Sequence, residues 1–161
     1  MAQLSLFDLS HPYKYIIDSS SIFSQKPTEL HRRTVNRSLW GKIDGYIKEQ
    51  KIVTCSEIKE EIRDKDLAEW LKSQGCIILD VDEEIQENVI RIVTEHPKLV
   101  DFEKVKSSGD AFLIATAMKY HLIVITEENK DKLFKIPKIC EAMEVESLNI
   151  IDLCSKEGWQ F

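Results

Sequence analysis

The chain has 161 residues and a formal net charge of −6, since 28 acidic residues outweigh 22 basic ones. Its length predicts one domain with a single core, and its hydrophobic content of 43% excludes a disordered chain. The acidic balance argues against a protein that coats nucleic acid by bulk charge, although it permits an enzyme that gathers carboxylates around a metal. No apolar run approaches the roughly 20 residues that a membrane helix needs.

Residues 1–13 lack the basic start and the long apolar centre of a signal peptide, so we expect a cytoplasmic protein with reduced cysteines. We expect these residues to form an irregular tail and residues 14–161 to form one domain. The cysteines and histidines are scattered, without CxxC or HxxxH pairs. A structural zinc site is therefore not expected.

Four short apolar runs predict buried strands. They do not alternate with polar residues, which is typical of a parallel sheet covered on both faces. The runs are residues 15–17, 52–54, 76–79 and 122–125.

Between these runs, apolar residues at spacings of three and four predict helices that pack one face on the sheet. The stripes contain Val35, Leu39, Ile43 and Tyr46/Ile47, then Ile58 and Ile62, then Leu67 with Trp70/Leu71, and finally Ile85, Val89 and Ile92/Val93. Trp40 and Trp70 lie on these stripes, so we expect them to pack in the core. Alternating strands and helices predict an α/β fold, a three-layer α/β/α sandwich with a central parallel sheet.

Two further helices have distinct patterns. Thr116 is the only polar residue in the segment 111–118, which predicts a helix that is buried nearly all round. A last helix is predicted from Ser147 to Lys156, with Ser147 as its cap and Gly158 as its stop.

Acidic residues follow several of the predicted strands. In open α/β sheets the reactive crevice lies beyond the carboxyl ends of the strands. Asp18 follows the first strand, Glu61 follows the second by about two helical turns, Asp110 opens the most apolar helix, and Glu127 and Glu128 follow the fourth strand. Taken singly, each is typical of a helix cap, a turn or a solvated surface.

Together these acids predict a metal site. Carboxylates brought into one crevice repel one another unless a divalent cation neutralises them. Oxygen ligands without paired His or Cys favour Mg²⁺ or Mn²⁺. Hydrolysis of a phosphodiester bond is the chemistry that such ions support.

Four motifs, in this order and spacing, resemble the PIN-domain nucleases. They are an apolar strand ending in Asp (15–20), a Ser-x-x-x-x-Glu-Ile helix start (56–62), an Asp-x-Phe-Leu-Ile-Ala-x-Ala block (110–117) and a strand ending in Thr-x-acid (125–128). The stretch 135–140, followed by 158–161, is similar to one bacterial and archaeal PIN-like branch catalogued as a domain of unknown function. That branch is regarded as resembling the toxin half of toxin–antitoxin pairs.

The resemblance implies a Mg²⁺- or Mn²⁺-dependent endoribonuclease, the toxin of a type II toxin–antitoxin system. Its four catalytic and metal-binding acids would be Asp18, Glu61, Asp110 and Glu128. Glu61 is preferred to Glu60 because it stands immediately before an apolar residue, as the glutamate of that family does. Most PIN domains have Asp at the fourth position, so the longer Glu128 is expected to reach metal through water. The implied partners are RNA, a cognate antitoxin and, in many relatives, a second copy of the chain.

Polar residues near the acids are candidates for auxiliary roles. Ser19, Ser20 and Thr126 are predicted to position phosphate or water, and local backbone capping is the alternative. A further basic group is predicted to hold RNA phosphates from the front of the first helix, unless it is a solvated helix face. It consists of His31, Arg32, Arg33 and Arg37. We expect charge reversal at Arg33 to weaken RNA binding with little effect on folding.

Two other functions stay open at the level of sequence. In a response-regulator receiver domain, Asp80 would be the phosphoacceptor after the third strand and Lys135 the basic residue. However, only nine positions separate Thr126 from Lys135, which is too few for the helix and strand that a receiver needs. The second alternative is a catalytically silent PIN-like module that binds RNA or a protein.

Overall fold

The structure is a computed structural model that describes residues 11–97, 108–132 and 135–161. In these residues five short strands form one parallel sheet. The strands are β1 (Tyr15–Ile17), β2 (Ile52–Cys55), β3 (Ile78–Leu79), β4 (Ile123–Ile125) and β5 (Ser147–Leu148). Their order across the sheet is β3-β2-β1-β4-β5.

Eight helices occur in the same described ranges. They are α1 (Ser19–Phe23), α2 (Arg37–Lys48), α3 (Ser56–Glu61), α4 (Lys65–Ser73), α5 (Glu83–Glu95), α6 (Ser108–Tyr120), α7 (Ile136–Ala142) and α8 (Ile150–Glu157). Across the part of the chain that the structure describes, none combines the length and apolarity that a membrane crossing needs.

Two hydrophobic cores lie on opposite faces of the sheet. Ile16 points to one face, and Tyr15 and Ile17 point to the other, because successive side chains of a strand alternate. The first core is covered by α3, α5, α6 and α7. The second is covered by α2, α4 and α8. The predicted three-layer α/β/α sandwich with a parallel sheet is confirmed.

Most helical stripes have the predicted burial. Helix α6 is buried on nearly all sides, from Ala111 through Ala117. Trp40 is fully buried and meets the partly buried Trp70 edge to face, with 6.1 Å between ring centroids, so the prediction that both pack in the core is confirmed for Trp40, while Trp70 packs at its edge. Val35 was predicted to belong to the first stripe, but it precedes α2 and is 72% exposed.

The prediction for the last helix is partly wrong. Ser147 does not cap it, because Ser147 and Leu148 form β5, the strand beside β4. Backbone pairing makes this strand: the N–H of Thr126 donates to the carbonyl of Leu148 at 2.9 Å. Helix α8 begins later, where the Asn149 side chain accepts the N–H of Asp152 at 2.7 Å. Gly158 ends it in the left-handed conformation, as predicted, with φ 70°.

The strand order places a crevice beside β1. The chain adds β2 and β3 on one side of β1, whereas β4 and β5 lie on the other side. The order therefore reverses between β1 and β4, and ligands bind beyond the carboxyl ends of strands at such a point. Asp18 directly follows β1, and Thr126 directly follows β4.

The last residues of the predicted tail pack against α6. The rings of His11 and Tyr13 stack with 4.7 Å between centroids, and both meet the ring of Tyr120 at an angle. Residues 1–10, the rest of the predicted tail, lie outside the described residues.

Candidate active site

Asp18 is the buried centre of the crevice. Its side chain is only 2% exposed, and burial raises the pKa of the carboxyl. Oδ2 accepts hydrogen bonds from the hydroxyls of Ser20, at 2.6 Å, and Thr126, at 3.0 Å. The other oxygen, Oδ1, is buried without a hydrogen-bond partner among the described residues.

Ser20 and Thr126 fix Asp18 by joining it to the loop after β4. The Ser20 hydroxyl, which donates to Asp18, also accepts the N–H of Glu127 at 3.0 Å. The Thr126 hydroxyl accepts the N–H of Glu128 at 3.2 Å. These two hydroxyls therefore connect the ends of β1 and β4, and both contact a carboxylate rather than only local backbone.

Glu61 reaches the crevice from the last residue of α3. The Ser19 hydroxyl donates to its Oε2 at 3.0 Å, and burial raises the pKa of the carboxyl. Glu60 is exposed, whereas Glu61 is half-buried, so the geometry favours the glutamate that was chosen from the sequence.

Gly109 makes room for that carboxylate. A Cβ at this position would lie 1.9 Å from Oε1 of Glu61 and 2.8 Å from its Cδ. Both distances are far below van der Waals contact, so a side chain here displaces Glu61. Gly109 was not among the functional residues predicted from the sequence. The available signal was a glycine directly before the candidate acid Asp110.

Asp110 lies in the first turn of α6 and has a strongly shifted pKa. Burial, followed by repulsion from Asp18, Glu128 and Glu61, raises the pKa of Asp110 to about 8. An acid in a first helical turn is ordinarily stabilised in its charged form. Here the surrounding carboxylates and the loss of water outweigh that effect.

Glu127 and Glu128 have different surroundings. Glu127 accepts the N–H of Ile150 at 2.8 Å and lies 3.3 Å from the ring nitrogen Nε2 of His31. Glu128 accepts the N–H of Ile136 at 3.2 Å and repels Asp18. Burial is the main reason that the pKa of Glu128 is raised. Glu127 thus stabilises local structure, while Glu128 is the one that acts on Asp18.

Each candidate acid repels the other three. Asp110 interacts with Asp18, Glu61 and Glu128, and Glu61 in turn interacts with Asp18 and Glu128. The remaining pair, Asp18 and Glu128, is also coupled. Four residues that are distant in sequence therefore lie within electrostatic reach of one another at the end of the sheet.

The donor atoms of this cluster are of the chemical type that a hard divalent cation prefers. Carboxylate oxygens are the preferred ligands of such ions, and the unpartnered Oδ1 of Asp18 is the oxygen that a cation would satisfy. The spacing is wider than a metal site needs. Within residues 11–97, 108–132 and 135–161, no three acidic, histidine or cysteine side chains are gathered closely enough to hold an ion. The carboxylates must move together for binding.

The predicted basic group divides into two pairs. Arg32 and Arg37 are exposed, whereas His31 is 6% exposed and faces Glu127. Residues 31–35 also precede α2 rather than forming its front, because the helix begins only at Arg37. The placement of this group on the first helix was therefore wrong for His31, Arg32 and Arg33.

The contacts of Arg33 are those of a residue that stabilises the fold. Its guanidinium donates two hydrogen bonds to Asp44, at 2.9 and 3.0 Å, and one to Gln25. It also lies over the rings of Trp40 and Trp70, at 5.3 and 5.5 Å. Reversal of its charge would place a carboxylate against Asp44, so the expectation that folding is unaffected does not fit the structure.

The strand order contradicts the receiver alternative. In the doubly wound order of receiver domains, the third strand lies directly beside the first. Here β2 separates β3 from β1, and Asp80 is exposed beyond the outermost strand. Asp80 is therefore too far along the sheet to share a site with Asp18.

Comparison with solved structures identifies the same fold in proteins of low sequence identity. The protein PAE2754 from Pyrobaculum aerophilum has 14% identity and a TM-score of 0.54, covering 99% of this chain and 100% of its own. FitAcB from Neisseria gonorrhoeae has 17% identity and a TM-score of 0.53, covering 85% and 98%. DNA-bound VapBC from Salmonella typhimurium has 16% identity and a TM-score of 0.54, covering 86% and 98%.

The comparisons by sequence agree with the resemblance. No curated protein matches the chain. The resemblance to the PIN-like branch catalogued as a domain of unknown function is confirmed. Since residues 15–161 match its description over nearly the whole chain, the protein belongs to the family of the domain of unknown function DUF4411.

Proposed function

We propose that the chain is a Mg²⁺- or Mn²⁺-dependent endoribonuclease that hydrolyses phosphodiester bonds of RNA. The observation that carries the proposal is the mutual repulsion of Asp18, Glu61, Asp110 and Glu128 around a buried, unpartnered oxygen. Keeping these carboxylates together costs stability, and a bound cation offsets that cost.

The four acids would hold the ion, and it supplies activation of a water and stabilisation of the leaving oxygen when bound. Asp18 is positioned for this role by the hydroxyls of Ser20 and Thr126. Ser19 orients Glu61 in the same way. The three hydroxyl residues are therefore proposed to position ligands, and contact with phosphate is no longer needed to explain them.

Arg32 and Arg37 stay proposed contacts for RNA phosphates, because both are exposed. His31 and Arg33 are left out of the proposed binding surface, since Glu127 and Asp44 already face them.

The proposal is tested with purified full chain, labelled RNA and Mn²⁺. Asp18→Asn keeps the volume of the side chain and removes its charge, so we expect cleavage to fall by about 100-fold or more. Asp131→Asn is the matched control, because Asp131 is an exposed acid of the loop after β4 that is not one of the four candidate acids, and it should cleave like the wild type. Equal cleavage by wild type and Asp18→Asn would show a contaminating nuclease and refute the assignment. Binding of RNA without cleavage would favour a silent module.

We further propose that this activity is that of a toxin restrained by an antitoxin. The fold similarity to FitAcB and VapBC, which are toxin–antitoxin proteins, supports this role. Expression of the wild-type chain alone in a bacterial host should arrest growth, and expression of Asp18→Asn at the same level should not. Equal growth of the two strains would contradict the toxin role, whether or not the purified chain cleaves RNA.

A further inference from the structure

Lys135 lies at the edge of the carboxylate cluster. It immediately precedes Ile136, whose N–H donates to Glu128 at 3.2 Å and whose side chain is fully buried. The backbone that carries Lys135 is therefore held next to Glu128, while the Lys135 side chain itself is exposed. A lysine side chain is long enough to extend from this point over the mouth of the crevice.

Lys135 is also a positive charge that acts on two acids of the cluster. It lowers the pKa of Asp110 and of Glu128, opposing the carboxylates that raise it. Several other lysines pair with acids elsewhere: Lys14 with Glu157, Lys26 with Asp64, Lys119 with Asp82 and Lys138 with Glu141. The ion pairs formed within the described ranges do not include Lys135, so its ammonium group is available to a ligand.

Binding of RNA beside the four acids requires a positive charge near the crevice. RNA is a polyanion, and four neighbouring carboxylates repel it as it enters the crevice. A cation bound among the acids would neutralise only part of this charge. An exposed ammonium group at the rim attracts a phosphate without occupying the ligand positions of the acids.

We propose that Lys135 binds an RNA phosphate at the mouth of the carboxylate cluster. This inference rests on the proposed function, since it assumes RNA as the substrate. The ammonium group donates hydrogen bonds to non-bridging oxygens of the phosphate and holds the backbone of the RNA beside Glu128. Lys135 is thus a substrate-binding residue, distinct from the exposed pair Arg32 and Arg37.

The experiment measures binding separately from cleavage. A fluorescent single-stranded RNA is titrated with the full chain carrying Asp18→Asn, in Mg²⁺, at several salt concentrations. Adding Lys135→Ala should weaken binding by about tenfold and make the slope of log K against log salt shallower by about 0.7. Lys135→Arg should keep most of the affinity, because it preserves the charge.

Lys138→Ala is the matched control, since Lys138 lies in α7, the short helix that Lys135 precedes, but pairs with Glu141 at 3.6 Å. It should leave both affinity and salt slope unchanged. Thermal unfolding of every variant checks that the exposed substitutions keep the fold.

The outcomes separate the two proposals. If Lys135→Ala has the affinity and salt slope of the Asp18→Asn parent, the phosphate contact is overturned, even if the wild-type chain cleaves RNA. Equal weakening by Lys138→Ala also overturns it, because the effect is then one of general charge. If binding depends on Lys135 but the wild-type chain cleaves no RNA in Mn²⁺, the nuclease proposal fails and the phosphate contact stands. A chain that binds no RNA refutes both.

Discussion

At the scale of single residues, hydroxyl groups fix the positions of two of the four candidate acids. Asp18 is held by Ser20 and Thr126, and Glu61 is held by Ser19. A hydrogen bond to a carboxylate stabilises its charged form, which partly opposes the effect of burial. Asp18 and Glu61 are thus oriented by neutral neighbours before any cation binds, and a further movement of the carboxylates would bring them onto the ion.

Gly109 is the residue where the addition of one methyl group should reduce cleavage without reducing stability. Gly109→Ala places a methyl group where the Glu61 carboxylate now lies, so the flexible end of Glu61 must move. Since alanine is favoured over glycine in helices by about 1 kcal/mol, the fold should keep its stability. We expect Mn²⁺-dependent RNA cleavage to fall by about 100-fold, because a proposed metal ligand is displaced. Cleavage of RNA and urea unfolding measure the two effects.

Gly41→Ala is the control for this substitution. Gly41 lies within α2, and a Cβ there meets nothing within 4 Å. It should raise stability without changing cleavage. A Gly109→Ala protein with the cleavage rate of the wild type would show that the observed position of Glu61 is not required.

At the scale of elements, the helices that flank the site begin at specific polar contacts. Asn149 caps α8, and Glu127 accepts the N–H of Ile150 in the first turn of the same helix. Glu127 also faces His31, so this acid connects α8 to the segment that precedes α2. The loop that carries Glu128 is thereby held against α8 and against the segment that precedes α2.

The cap of α8 gives a direct test of the observed helix start. Asn149→Ala removes the acceptor for the N–H of Asp152 and should lower the free energy of unfolding by about 1 kcal/mol. Ser147→Ala, at the position predicted from sequence as the cap, should change it by less than about 0.5 kcal/mol. Urea unfolding measures both changes in the free energy of unfolding, and the comparison holds when the m value is unchanged. The reverse order of effects would place the helix start at Ser147.

At the scale of the whole molecule, the sheet order gathers charge that the sequence distributes over more than a hundred positions. The reversal between β1 and β4 brings the ends of two distant strands together, and α3 and α6 bring Glu61 and Asp110 to the same place. Repulsion among the acids makes the stability of the metal-free fold depend on pH.

Asp110 sets the direction of that dependence. Its pKa is about 8 in the folded chain and near 3.8 in the unfolded chain. Between these values the folded chain keeps a proton that the unfolded chain has released, so the free energy of unfolding falls as pH rises from about 4 to 8. Asp110→Asn should make this fall shallower, as measured by urea unfolding in EDTA across the window.

Asp131→Asn is the comparison for the pH series, because this exposed acid lies outside the cluster. Its profile should follow that of the wild type. If Asp110→Asn and the wild type lose stability equally over the window, Asp110 does not carry an unfavourable charge in the folded chain.

The sequence by itself determined the fold class and its candidate acids. Buried runs without alternation predict parallel strands, and acids at the ends of such strands predict the position of a site. The choice of Glu61 over Glu60 came from the family resemblance, because the glutamate of that motif stands immediately before an apolar residue. These features are local, so they can be identified without knowing which strands are neighbours.

Only the tertiary structure decided which strands are adjacent and which charges are already paired. The two-residue strand β5 has no periodicity of its own, and its pairing with β4 defines it. Arg33 forms an ion pair with Asp44 of α2, and His31 is buried against Glu127 in the loop after β4. These contacts join separate segments of the chain. Gly109 gains its role only because Glu61 arrives from another helix. Such roles depend on the packing of separate elements, and no local pattern encodes that packing.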